Sequence, residues 1–261
     1  MVTGLTTGRY LSTSILGPVT DSPLGPGPLV YAHRGDRSRA ADNTLEAYTL
    51  AVGAGTDGIE LDVRRTLDGV LVVSHDDRAM NVEPFASLEF DVVRELAPQV
   101  PTFREAMDSI PRHVFVNVEI KNFPYDAGFD ESRTIVDDTL NALREYDDPQ
   151  RILMSSFDPM SMQRVKDVGP EFLCSLLVLK TVPLGPGLKT AEELDMSAVN
   201  PHYSHLAGAA HEVMEEIRAT GLRTVVWGVD TAEEISQMAQ VGADAIITDD
   251  PGLAQTVLTQ R

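Results

Sequence analysis

A single cysteine, Cys174, among 261 residues excludes an intramolecular disulfide. It lies in the apolar run from Phe172 to Val178, which reads as a buried structural thiol rather than a nucleophile. Basic residues are also scarce, with 21 Lys and Arg against 40 Asp and Glu, a formal charge of −19. No basic stripe or polybasic run is present, so neither nucleic acid nor an anionic membrane is expected as a partner. Any recognition of phosphate must then be local, built from one or two cations inside a pocket. The N-terminal region lacks an apolar run long enough for a signal peptide or anchor. A cytoplasmic chain without stable membrane association is therefore the default expectation, and nothing in the pattern specifies an oligomeric state.

Residues 1–28 are rich in Thr, Ser, Gly and Pro and read as an N-terminal extension or packed arm. Residues 29–261 read as one domain. Short apolar runs, too brief for helices, begin at Leu29, at Gly58 and at Val70, and each ends in ionisable residues: His33-Arg34, Glu60-Leu61-Asp62 and Ser74-His75-Asp76. The segment Leu67-Asp68-Gly69-Val70 reads as a hairpin turn carrying the chain towards His75. Residues 77–100 are weakly patterned and read as an excursion over one end of the fold. Asn43 and Thr102 are expected helix caps, the former with Glu46 completing a capping box. A buried strand is expected at 114–120, then strands at 151–156, 172–178, 196–200, 222–229 and 245–248. Helices follow most of these, with a Pro/Gly loop after 178 and a short helix only at 191–194. Alternation of this kind implies parallel pairing with right-handed crossovers. A (β/α)8 barrel with a hairpin excursion after the second strand is the expected closure, an open doubly wound sheet the alternative.

In such a barrel the chemistry gathers where strands end. Glu60 and Asp62, two apart on one strand, face the same way, and Glu119 ends another strand in the run Val118-Glu119-Ile120-Lys121. Three carboxylates at an apolar mouth need a compensating cation. All-oxygen donors suit one divalent cation, Mg²⁺ or Ca²⁺, better than zinc. Salt bridges from Glu60 and Asp62 to Arg64 or Arg65 are the competing reading. His33 and His75 end two further runs, so one imidazole can accept a proton while the other donates. Arg34 and Lys121 beside them could clamp a phosphate, and Trp227 could wall a substrate's carbon skeleton. His202 and His205 follow a strand on the same side and are lesser candidates for the pocket lining.

The ordered set His33-Arg34-Gly35, Asn43-Thr44, Glu60-Leu61-Asp62-Val63, His75-Asp76, Val118-Glu119-Ile120-Lys121, Ser156-Phe157, Val225-Val226-Trp227 and Thr248-Asp249-Asp250-Pro251 resembles the glycerophosphodiester phosphodiesterases. The resemblance runs from residue 29 to the C-terminus. It implies a metal-dependent barrel that splits small-molecule glycerophosphodiesters into an alcohol and glycerol phosphate. It also implies His33 and His75 as the acid/base pair, Glu60, Asp62 and Glu119 as metal ligands, and Arg34 and Lys121 as the phosphate clamp. Two departures stand out: Asp42 where the family has Glu, and Gly228-Val229-Asp230 where it often has Thr-Val-Asn. Neither is expected to touch the acid/base or metal set. The alternatives are a phospholipase D-like enzyme on lysophospholipids or sphingomyelin, which would need an apolar lip in the 176–188 stretch, and a non-catalytic phosphodiester-binding barrel.

Overall fold

The computed structural model describes residues 22–79 and 83–260, so most of the N-terminal extension lies outside the described residues. Eight short strands, nearly all buried, pair in parallel: β1 (Leu29–His33), β2 (Gly58–Arg65), β6 (Phe115–Ile120), β7 (Ile152–Ser156), β8 (Leu173–Leu177), β9 (Ala198–Asn200), β10 (Arg223–Trp227) and β11 (Ala245–Thr248). β11 returns to β1 with Leu29 opposite Ala245, which closes the barrel and excludes the open sheet. β3 (Leu71–Val73) folds back antiparallel on the end of β2, Val63 facing Val73. Its turn is tight because Thr66 N–H donates to the Val70 carbonyl and Gly69 takes a φ of 87°. The excursion that follows contains the two-residue strands β4 (Arg78–Ala79) and β5 (Glu83–Pro84) and the helix α2 (Phe90–Leu96). Val72, Ala79, Phe85 and Val93 give it a small core of its own.

Eight further helices connect the rest: α1 (Leu45–Gly53), α3 (Phe103–Ser109), α4 (Thr134–Arg144), α5 (Pro159–Val168), α6 (Leu184–Glu193), α7 (Ala210–Ala219), α8 (Ala232–Val241) and α9 (Pro251–Thr259). The expected cap at Thr102 forms, its hydroxyl taking the Glu105 N–H, and the Glu105 side chain completes a capping box there. Asn43 does not cap α1. Thr44 does, accepting from Ala47 N–H, while Asn43 turns at φ 54° and sends its side chain into the barrel. α4 is absent from the sequence expectation although Ile135, Val136, Leu140 and Leu143 bury one stripe. α6 starts seven residues earlier than expected, at Leu184. Pro186 falls in its first turn, where no intrahelical N–H is required, and Gly187 lets the helix approach Val178, whose Cγ2 would stand 2.6 Å from an added Cβ.

Alternate residues along each strand point inward, and their chemistry changes with height. Leu29, Tyr31, Leu153, Val225 and Ala245 form an apolar floor. Above it Ser155 donates to Asn117 Oδ1 at 2.8 Å, and Ser175 donates to Asn200 Oδ1. Higher still come Glu60, Asp62, Glu119 and His33. The floor is closed from below by the segment before β1. Leu24 is buried there, Tyr31 Oη donates to the Pro23 carbonyl at 2.7 Å, and Arg223 Nη2 donates to the Leu24 and Gly25 carbonyls. Cys174 is buried, which pushes its thiol up to about 12 and keeps it inert. Among the described residues no helix is long and apolar enough to cross a membrane.

Leu24→Ala should open a void beneath the floor. We expect a loss of about 2–4 kcal/mol in urea unfolding, read as a lower midpoint at unchanged slope.

Candidate active site

β2 and β6 run in register, which places Asp62 opposite Glu119. β1 and β2 set His33 opposite Glu60. The strand alternation turns all of these inward, so carboxylate oxygens of Glu60, Asp62 and Glu119 lie within 4.8 Å of one another, all three residues buried. Two cations sit among them. Lys121 Nζ is 2.9 Å from Asp62 Oδ1 and 2.7 Å from Glu119 Oε1, and Arg34 Nε is 3.2 Å from Asp62 Oδ2. Arg34 can reach because the chain turns sharply after β1. Arg34 has φ 56° and Gly35 φ 87°, and a side chain at Gly35 would strike Ala47. The turn also presents the Arg34 N–H to Glu60 Oε2 at 3.0 Å.

Burial alone would raise the Asp62 carboxyl, but Lys121 and Arg34 outweigh it and hold the group well below the usual carboxylate range. Glu60 goes the other way: burial, then the charges of Asp62 and Glu119, push it well above that range. Glu119 is raised by burial, with Asp62 adding to this and Lys121 opposing it. Lys121 is held above its ordinary value, its own burial overturned by Asp62 and Glu119. Two cations thus leave three clustered carboxylates one charge short of compensation. Glu60 Oε1 is buried with no hydrogen-bond partner among the described residues. An orphaned oxygen and two neighbouring carboxylates fit a hard divalent cation, and their spread is one that Ca²⁺–O distances of about 2.3–2.6 Å can bridge.

A cavity of about 200 Å³ opens above this cluster, and both His33 and His75 line it, as do Arg34, Lys121 and Trp227. His33 Nδ1 stands 2.6 Å from Asp249 Oδ1; a carboxylate can only accept, so Nδ1 carries the proton and Nε2 is left for the cavity. Arg37 Nη1 donates to both Asp249 oxygens, at 2.8 and 2.9 Å. Burial works against the Asp249 charge, but the bond to His33 and Arg37's charge hold its carboxyl below the ordinary value. His75 arrives on the loop after β3, with Nδ1 3.1 Å from Asp76 Oδ1. Trp227 forms a wall edge-on to Phe157, ring centres 5.9 Å apart, and its Nε1 donates to the Asn200 carbonyl.

The sequence profile of the "Glycerophosphoryl diester phosphodiesterase family" matches residues 33–253. A glycerophosphodiester phosphodiesterase of Caldanaerobacter subterraneus is 32% identical over 239 residues, covering 85% of this chain and 94% of that one. The chain belongs to the glycerophosphoryl diester phosphodiesterase family. Among solved structures, the Thermotoga maritima glycerophosphodiester phosphodiesterase superimposes with a TM-score of 0.71 at 24% identity, covering 90% of this chain and 99% of that one. An Oleispira antarctica phosphodiesterase in complex with the product sn-glycerol-3-phosphate gives 0.75 at 22%, covering 89% and 97%. These two likenesses establish the fold.

Within this member of the family the eight residues singled out by sequence converge on one place, seven lining the cavity and Asp62 buried beneath it. The competing salt bridges do not form. Arg64 instead donates to the Ser74 and His75 carbonyls and pairs with Asp126, while Arg65 pairs with Asp138. His202 packs edge-on against Trp227, ring centres 4.4 Å apart, and His205 Nε2 donates to the Val182 carbonyl; neither lines the cavity. Three contributors escaped sequence reasoning. Asn43 donates to Asp62 Oδ2 at 2.8 Å while accepting from Tyr48 Oη, and Asp249 and Arg37 hold His33. The departure at Asp42 meets Arg34 Nη1 at 2.9 Å. Asp230 touches neither histidine nor any of the three carboxylates; it stands one remove away, its Oδ1 accepting from the Asp249 N–H at 2.9 Å.

Burial first and the Lys121 charge second lower the His75 pKa below 6.5, with Asp62 opposing. Taking away a cation must raise an imidazole pKa. Proton NMR of the chelator-treated protein should therefore show His75 titrating below its ordinary value, and Lys121→Met should move the midpoint upward; a downward move would contradict the assignment.

Proposed function

We propose that this chain hydrolyses glycerophosphodiesters, such as glycerophosphocholine or glycerophosphoethanolamine, to an alcohol and glycerol 3-phosphate. The observation that carries the reading is that two imidazoles, two cations and a buried trio of carboxylates converge on a single small cavity. Glu60, Asp62 and Glu119 would hold one divalent cation, Mg²⁺ or Ca²⁺. When bound, it offsets charge on the phosphoryl oxygens. Charge matching supports this: a divalent ion turns the cluster's single net negative charge into a single net positive one, the complement of a phosphodiester monoanion.

The chain's own residues supply the rest. Arg34 offers a planar fork and Lys121 a point charge to the phosphoryl oxygens. Asp249 fixes the tautomer of His33 and keeps its ring turned so that Nε2 is available. One of the two histidines takes the proton from the attacking hydroxyl, either water or the substrate's own neighbouring hydroxyl. The other gives a proton to the departing alkoxide. Trp227 and Phe157 pack against the glycerol carbons and exclude water from that side.

Each histidine is worth roughly 10²–10⁴-fold in such a scheme. His33→Ala and His75→Ala should each lower turnover by at least the smaller figure while circular dichroism stays unchanged. EDTA should silence the wild type, and added Mg²⁺ or Ca²⁺ should restore it. Metal binding seen by calorimetry, without turnover of any glycerophosphodiester, would favour the binding-barrel reading instead. Asp249→Ala should reduce kcat about tenfold or more with KM little changed, because it loosens a ring rather than removing a substrate contact.

A further inference from the structure

Phe157, Leu177, Ile247 and Trp227 give the catalytic cavity an apolar wall, but Asn117 and Ser155 line it too. Asn117 faces Glu60 across the β2–β6 ladder and precedes Glu119 by two residues on β6, so it stands about 7 Å nearer the floor. Ser155 faces Glu119 from β7 and gives its proton to Asn117 Oδ1 at 2.8 Å. With its oxygen engaged, the carboxamide has its NH2 left to place. Asn117 is 1% exposed, and its Nδ2 has no hydrogen-bond partner among the described residues. A buried donor left unpaired is costly, and nothing in the chemistry set out above uses this one. Ser175 and Asn200 repeat the pairing on β8 and β9, again with Nδ2 unpartnered, but neither of them lines the cavity.

An occupant at this depth must accept a bond from the Asn117 NH2. Ser155 Oγ keeps its lone pairs after giving up its proton, so the same occupant can donate to it. A neutral group that both accepts and donates fits this pair, and a hydroxyl is such a group. In a glycerophosphodiester the hydroxyl next to the phosphate must stay near phosphorus if it is to attack, which leaves the terminal hydroxyl to reach deeper. Choline has no hydroxyl and the ethanolamine ammonium only donates, so the glycerol half lies inward and the head group at the mouth. We propose that Asn117 Nδ2 and Ser155 Oγ form a subsite for the terminal hydroxyl of the substrate's glycerol, which makes Asn117 a specificity-determining residue. The inference rests on the hydrolase reading above and deepens it.

The test compares glycerophosphoethanolamine with the diester in which propane-1,2-diol replaces glycerol, on the metal-loaded enzyme. The analogue keeps the hydroxyl next to the phosphate and lacks only the terminal one. The wild type should favour the glycerol diester by about tenfold or more in kcat/KM, and calorimetry should show the same preference for glycerol 3-phosphate over propanediol phosphate. Asn117→Leu keeps the volume and removes the donor, so it should bring both ratios close to one. Ser155→Ala, a milder change, frees the carboxamide to turn and should lower both. Asn200→Leu removes the matching donor outside the cavity and should leave both ratios as they were. A wild type without preference overturns the subsite and leaves the hydrolase reading standing. So does a preference that survives in Asn117→Leu and Ser155→Ala, or one lost equally in Asn200→Leu. If no diester is cleaved while glycerol 3-phosphate is still preferred through Asn117, the hydrolase reading falls and the subsite stands.

Discussion

The constraint on which this molecule turns is electrostatic: three carboxylates sit inside a barrel whose lower half is hydrocarbon. Ionised groups removed from water are costly unless opposite charge stands beside them. Here the compensation is partial. Lys121 bridges Asp62 and Glu119 while Arg34 leans on Asp62, and Glu60 keeps an oxygen without a partner. The layout of the mouth follows from that imbalance. Asn43 is pulled from the helix end it would ordinarily cap to give Asp62 a further bond, and the chain after β1 takes two left-handed residues in succession to bring an N–H to Glu60. An arrangement so incompletely neutralised is poorly suited to stability and well suited to receiving a cation and an anion in turn.

Much of the fold was legible because strand and helix leave different periodicities. The runs at 29–33, 58–63 and 114–120 are short and β-branched, and each ends in polar residues, the pattern left by parallel strands buried on both faces. The two-residue alternation of a strand likewise puts Glu60 and Asp62 on one side. What stayed hidden did so for physical reasons. α6 was obscured by Gly185, Pro186 and Gly187, residues that usually break helices but are tolerated within a first turn. α4 was obscured because its loop ends in a left-handed Arg133 rather than a recognisable cap. Asn43 is ambiguous in sequence because one side chain can serve either a helix end or a carboxylate, and only the burial of Asp62 decides between them.

Asp249 illustrates a different limit. It lies 216 residues from the histidine it holds, and only closure of β11 onto β1 joins them. Its motif, Thr248-Asp249-Asp250-Pro251, is visible in the chain, but Asp250 caps α9 and offers an equally plain use for an acidic residue there. Local pattern cannot apportion two adjacent aspartates between a helix end and an imidazole. Geometry does so at once, giving Asp250 to the Leu253 N–H and Asp249 to His33.

His75 differs from the other site residues in being carried by an appended hairpin rather than by a barrel strand. Beyond the β2–β3 ladder, the hairpin is bound to the barrel by Arg64, on the same strand as Glu60 and Asp62, whose guanidinium grips the carbonyls of Ser74 and His75. Every residue type provides a carbonyl, so this grip is indifferent to the side chains it holds. The backbone that carries His75 is therefore held without help from the Ser74 or His75 side chains, which leaves the imidazole to the cavity and to Asp76.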